Sequence, residues 1–491
     1  MSDNSRGQTL RSVAGYAVMI GGAAALFLLV RSAGSHLVAP APTVAGPATH
    51  GVASSNPDVL LHVLLALAVV IVAARGLGSL FKRIQQPPVI GEVVAGILLG
   101  PSLLGRVSPE ATSFLLPPSV APFLSIIAQI GVILFMFLVG LELDIGQLKN
   151  RTRATVGISH ASIIVPFVLG SVLALWLYPK LSSRDVPFTV FALFIGVSLS
   201  VTAFPVLARI LTDRGIQKTR MGVLALTCAA VDDVTAWCLL AFLIAVAKSN
   251  VSSALMTFGL TGIYLAFMLL VARPLIERAV RAQELRKSVS QASFAVIVVG
   301  LLLSTLATEA AGIHAIFGAF LLGAIIPHDS RLARDLTEKL EDVVVVLFLP
   351  AFFAFTGMRT QIGLVHGASH WLVAGVILLT ASIGKFGGSF VAARMTGLGN
   401  RDAASLGILM NTRGLMELIV LNLGLDLHIL SPTLFAMLVL MAIITTFATT
   451  PILHLLTRGT PATDREDPLA RLAGQPPSAF ATPAAASMAS R

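Results

Sequence analysis

Charge is scarce in this sequence. Asp, Glu, Lys and Arg supply 12% of its 491 residues, against about 25% in a soluble globular chain. Hydrophobic residues supply 56%, and mean hydropathy is +0.88. No soluble core of this length could hide so much apolar surface, so the bilayer must be the solvent. Cysteine is scarcer still, with Cys228 and Cys238 the only two. Both sit in one apolar run, which excludes a disulfide framework and a Cys-rich zinc site. Acidic residues number 24 against 34 basic ones, giving a net charge of +10. In a soluble protein that balance would suggest nucleic acid. Here the positive-inside rule explains it first, and no nucleic-acid partner is expected.

What the sequence has in plenty is long apolar runs. Runs near the length of about 20 residues needed to span a bilayer give fourteen candidate spans. Their limits are near 12–30, 58–75, 88–105, 121–143, 154–177, 188–211, 221–247, 254–272, 291–309, 312–327, 343–358, 370–393, 403–424 and 433–456. Short alternating segments of the barrel kind are absent, so the spans are helices. With the N-terminus placed inside, 26 of the 34 basic residues fall in inside segments, 6 in outside loops and 2 within spans. That asymmetry supports both the count and a multi-pass cell-membrane topology with cytoplasmic termini.

Three regions follow. Residues 1–57 hold an extra helix at 12–30 and an irregular external loop. A signal peptide would show the same basic flank and apolar run, but no small-x-small cleavage site stands out after it. Residues 58–456 form the main membrane domain. Residues 457–491, rich in Pro and Ala, read as a disordered cytoplasmic tail with no GxGxxG motif or P-loop. The thirteen spans after the first divide as six, one linker at 254–272, and six. The two sixes start from opposite sides, which is the arithmetic of an inverted-topology repeat.

Ionisable residues inside the membrane are costly and are functional candidates by default. The sharpest are Asp232 and Asp233, adjacent and deep in the seventh span. Burial and a like-charged neighbour both disfavour the charged form of a carboxylate, so such a site can trade a proton for a cation. Adjacent helical residues point about 100° apart, so the two need not share a ligand. The preceding span carries Ser200, Thr202 and Pro205. Pro205 disfavours helix at Phe204, and the freed carbonyls with the Ser200 and Thr202 hydroxyls could ligate a hard cation. Lys385, far from either end of the twelfth span, needs an anion, and Asp232 or Asp233 is the obvious partner. Arg413 and Glu417 stand four apart on one helical face and can neutralise each other. Gly414 could mark a second unwound point opposite Pro205. Glu92 reads as packing or capping, and Glu142 and Asp144 as helix-end groups near Lys149. Gly96 and Gly100 fit a close helix contact. His160, His314 and His328 show no ligand spacing.

These residues carry a resemblance. Pro88-Val89-Ile90-Gly91-Glu92 through Gly100-Pro101, Gly140-Leu141-Glu142-Leu143-Asp144, Thr202-Ala203-Phe204-Pro205-Val206-Leu207-Ala208-Arg209, Asp232-Asp233 and Asn411-Thr412-Arg413-Gly414-Leu415-Met416-Glu417-Leu418 occur in order. Over about 58–456 the chain resembles the monovalent cation:proton antiporter superfamily, nearest the branch of plant cation/proton exchangers and their bacterial relatives. The resemblance implies the sodium/proton antiporter fold, with thirteen helices in two inverted repeats, broken helices crossing near 198–206 and 411–416, and a homodimer. It implies Asp233 as the ion-binding carboxylate, Asp232 as the neighbouring position that is Asp in electrogenic members, and Lys385 as a basic partner. It implies a secondary transporter rather than an enzyme, exchanging sodium or potassium for protons with no cofactor. A gated cation channel without proton coupling is the alternative, and a sensor or scaffold a more distant one. The extra N-terminal span is a departure from the family.

Overall fold

The computed structural model describes residues 3–35, 37, 59–142, 153–183, 185–214, 216, 219–247, 251–284, 291–311 and 314–457. The external loop before residue 58, Asp144 with Lys149, and the tail after 457 lie outside the described residues. Over the described residues each predicted span is helical, and those at 188–211 and 403–424 are each broken into two helices. The helices are α1 (Asp3–Gly34), α2 (Val59–Arg83), α3 (Pro88–Leu99), α4 (Ala121–Glu142), α5 (Arg153–Leu181), α6 (Phe188–Ser200), α7 (Phe204–Asp213) and α8 (Arg220–Ala247). Next come α9 (Val251–Phe267), α10 (Arg273–Glu284), α11 (Gln291–Ala310), α12 (Ala315–Ile325), α13 (Arg331–Val343) and α14 (Leu349–Arg359). The last four are α15 (Gly367–Met395), α16 (Asn400–Met410), α17 (Leu415–Asp426) and α18 (Pro432–Thr457). Among the described residues, 11 helices are long and apolar enough to cross a membrane, and the pair α16–α17, bent by 41°, makes a twelfth. The shorter apolar helices Val18–Gly34 and Ala315–Ile325 stand at the two remaining predicted spans.

The packing divides these helices into two bundles. Helices α5 to α8 pack with α15 to α18, and α2 to α4 pack with α11, α12 and α14. Each half of the chain therefore gives its first three spans to one bundle and its last three to the other. That sharing follows the six–linker–six division read from the sequence. The linker, α9 with α10 and a π-helical turn between them, is barely buried inside the protein. The bundles meet along narrow seams, α3 against α18 and α14 against α17.

Close backbone approach tightens the second bundle. A Cβ at Gly100 would stand 2.8 Å from the Cα of Met358, and one at Gly96 would strike the backbone of Ala354. Both glycines therefore serve the contact between α3 and α14, as the spacing predicts. Helix α1 runs along α5 and α6, with Val30 buried and the rings of Phe27 and Phe167 5.9 Å apart.

Candidate functional site

The first bundle encloses two helix breaks that touch. Helix α6 ends at Ser200, Val201 to Ala203 are extended, and α7 begins at Phe204. Helix α16 ends at Met410 and α17 begins at Leu415. The amide of Ala203 donates to the carbonyl of Thr412 at 3.0 Å, joining the two breaks. Thr446 of α18 supports the second one. Its hydroxyl accepts from the amide of Arg413 at 2.9 Å and donates to the carbonyl of the same residue at 2.7 Å. Unwound backbone survives at membrane depth only where such partners exist.

Two expectations about these breaks need correction. Pro205 is not where the helix fails. The break lies at 201–203, and Pro205 sits in the first turn of α7, where its missing amide costs nothing. Ser200 does not turn its hydroxyl to the carboxylates. The hydroxyl donates to the carbonyls of Gly196 at 2.7 Å and Ile163 at 3.0 Å. Gly414 does face α7: a Cβ there would stand 2.5 Å from Cγ2 of Val206 and 3.3 Å from Cβ of Ala203.

Two buried cations cover the buried C-terminus of α6. Arg413 donates to the carbonyls of Ser198 at 2.7 Å and Leu199 at 2.6 Å, and to Glu417 Oε2 at 2.7 Å. Lys385 Nζ donates to the carbonyls of Ser200 at 2.5 Å and Ser162 at 3.0 Å, and to Asp232 Oδ2 at 2.9 Å. A helix end leaves its last carbonyls unpaired and carries partial negative charge, so both placements are favourable.

Asp232 is surrounded by donors. Ser159 donates to Oδ1 at 2.5 Å, Thr202 to Oδ2 at 2.8 Å, and Ser162 and Lys385 also donate to Oδ2. Asp233 is the opposite case. It is nearly as deep at 5% exposure, and its carboxylate has no side-chain hydrogen-bond partner; the backbone amide of Phe204, at the start of α7, is the donor that acts on it. The sequence reading missed Ser159, Ser162 and Thr446. The two serines stand three apart on one face of an apolar span, and that spacing was the available signal. Glu92 is buried on α3, and its Cγ would stand 3.5 Å from a Cβ at Gly78 of α2.

The charges at the crossing do not balance. Asp232 is matched by Lys385 and Glu417 by Arg413, each pair fully buried. Asp233 is left over, so with every group ionised the centre carries one excess negative charge. Such a charge in a low-dielectric interior must be compensated. A proton can do so, as can a hard monovalent cation. Together, the crossed broken helices, the buried ionisable centre and the two-bundle frame define a secondary ion transporter of the inverted-repeat class.

Comparison with known proteins is more specific. The family model "sodium/hydrogen exchanger, transmembrane" matches residues 63–458. The chain belongs to that family. It is 45% identical over 399 residues to the Na(+)/H(+) antiporter NhaS4 of Synechocystis sp., covering 81% of this chain and 97% of that one. It is 41% identical over 401 residues to cation/H(+) antiporter 20 of Arabidopsis thaliana, covering 79% of this chain but 47% of that one. Among solved structures, the sodium proton antiporter MjNhaP1 of Methanocaldococcus jannaschii matches with a TM-score of 0.59 at 13% identity. That match covers 81% of this chain and 96% of the other, and establishes the sodium/proton antiporter fold.

Proposed function

We propose that this chain exchanges a monovalent cation, sodium or potassium, for protons across a cell membrane by alternating access. The observation that carries the reading is Asp233, the one carboxylate of the buried centre with neither a paired cation nor a side-chain donor. It holds a cation or a proton by turns. Asp232 and Lys385 form the fixed neighbouring pair, and Thr202 ties the first break to that pair. Arg413, Gly414 and Glu417 hold the second break against the first. The bundle of α5 to α8 and α15 to α18 moves against the other along their seams. The working unit is a homodimer with cytoplasmic termini, and residues 58–456 are the transport domain.

The test uses proteoliposomes carrying a pH dye and an imposed proton gradient. Sodium or potassium added to wild type is expected to dissipate the gradient, and Asp233→Asn to abolish the response. Equal dissipation by wild type and Asp233→Asn overturns the reading. Cation flux that continues without proton movement would favour a channel instead.

A further inference from the structure

A third ion pair stands where the two bundles themselves meet. Arg359 is the last residue of α14 and belongs to one bundle, while α17 belongs to the other. Resting on the exchange reading above, we infer that Arg359 is a latch. Paired with Asn422 and Asp426, it holds one end of the seam between the bundles closed, and it must release both for the cation to pass on that side.

Three side-chain hydrogen bonds cross the seam here. The guanidinium donates to Asn422 Oδ1 at 3.1 Å and to Asp426 Oδ1 at 2.6 Å. Asn422 Nδ2 donates back to Thr356 Oγ1, about one turn earlier on α14, at 2.8 Å. Asn422 and Asp426 are four apart, so they share one face of α17. The same groups border a cavity of about 40 Å³, which has room for a few waters. Both bundles line it, with Gln129 of α4 and Phe352 of α14 on one side and Ile419 and Leu423 of α17 on the other. From Asp426 to Ile419 the cavity follows α17 for about 10 Å. It runs toward Leu415, where α17 leaves the second break. With the termini cytoplasmic, as proposed, both α14 and α17 end on the outer side. The outer route to the crossing therefore lies between the bundles along α17, and Arg359 stands across its mouth.

The exposure of this pair suits a contact that opens. The Arg359 and Asp426 side chains are 24% and 45% exposed, against 0% for every member of the two pairs at the crossing. A part-exposed pair gains little Coulomb energy in high dielectric. A buried pair cannot part without leaving charges uncompensated. The pairs at the crossing therefore stay with their bundle, and the pair at the mouth is the one that yields. When the bundles separate, water reaches the guanidinium and Asn422 Oδ1. The freed Asp426 carboxylate then meets the arriving cation.

The full chain in nanodiscs, with Cys228→Ala and Cys238→Ala, tests this through Ile419→Cys in the cavity wall. Labelling by a membrane-impermeant maleimide reports the opening of the seam without any transport. Arg359→Ala is expected to raise the labelling rate about two- to fivefold, the worth of a part-exposed pair. The exchanged pair Arg359→Asp/Asp426→Arg is expected to bring the rate down again. A rate unmoved by Arg359→Ala, or equally high in the exchanged pair, overturns the latch. In proteoliposomes, Arg359→Cys/Asp426→Cys joined by a bifunctional methanethiosulfonate is expected to lose proton movement driven by sodium or potassium, and to regain it on reduction. Proton movement that continues in the joined protein overturns the inference while leaving exchange intact. If wild type moves protons for neither cation, the exchange reading falls, and the inference with it.

Discussion

The two buried ion pairs at the crossing look alike and serve different ends. Lys385–Asp232 spans two helices at 2.9 Å, and Arg413–Glu417 spans one turn of chain at 2.7 Å. Both are fully excluded from solvent, and both cations cover carbonyls at the end of α6. They differ in what stands beside them. The arginine pair bonds only to backbone, whereas the lysine pair adjoins a carboxylate without side-chain partners. A buried ion pair by itself is therefore a staple. Beside a group left to be filled, it becomes part of the exchange site proposed above.

The largest effect that tests this comparison is on stability. Arg413→Ala leaves Glu417 and two carbonyls unpaired in the interior, and breaking a buried pair in this way costs about 3–5 kcal/mol. Lys385→Ala should cost less, because Asp232 keeps three hydroxyl donors. Thermal unfolding in detergent should rank Arg413→Ala below Lys385→Ala, and the reverse order would show that the lysine pair is the staple.

A smaller effect is expected where the breaks touch. Gly414→Ala forces a Cβ against Val206, an overpacking cost of about 1–3 kcal/mol. The second substitution Val206→Ala should recover much of the lost unfolding temperature. An absence of recovery would mean that Gly414 is needed for its backbone rather than for the space.

The smallest effect has the opposite sign. Asp233→Asn removes the one uncompensated charge of the centre, so its unfolding temperature should equal or slightly exceed that of wild type. A marked loss of stability in this variant would reveal a structural partner for Asp233 and weaken its role as the exchanging group.

Much of the fold was legible because the bilayer makes a strong rule. Apolar run length set the helices. Pro205 pointed to the right span but to the wrong residue: it opens α7, and the unwound segment lies before it at 201–203. The i,i+4 spacing of Arg413 and Glu417 correctly paired them. Ser159 and Ser162 stayed hidden because hydroxyls are cheap in membrane helices, and their three-residue spacing gains meaning only once a partner is known. Ser200 misled for the same reason, its hydroxyl being absorbed by nearby carbonyls.

The sequence by itself determined the solvent, the spans and the short list of ionisable groups forced into the membrane. Each of these follows from the cost of removing a charge or a peptide group from water. Only the tertiary structure decided which of two adjacent aspartates is paired and which is left open. Neighbouring residues on a helix point about 100° apart, and their partners lie on helices remote in sequence. Packing turned Asp232 toward Ser159, Ser162 and Lys385, and it left Asp233 without a side-chain donor.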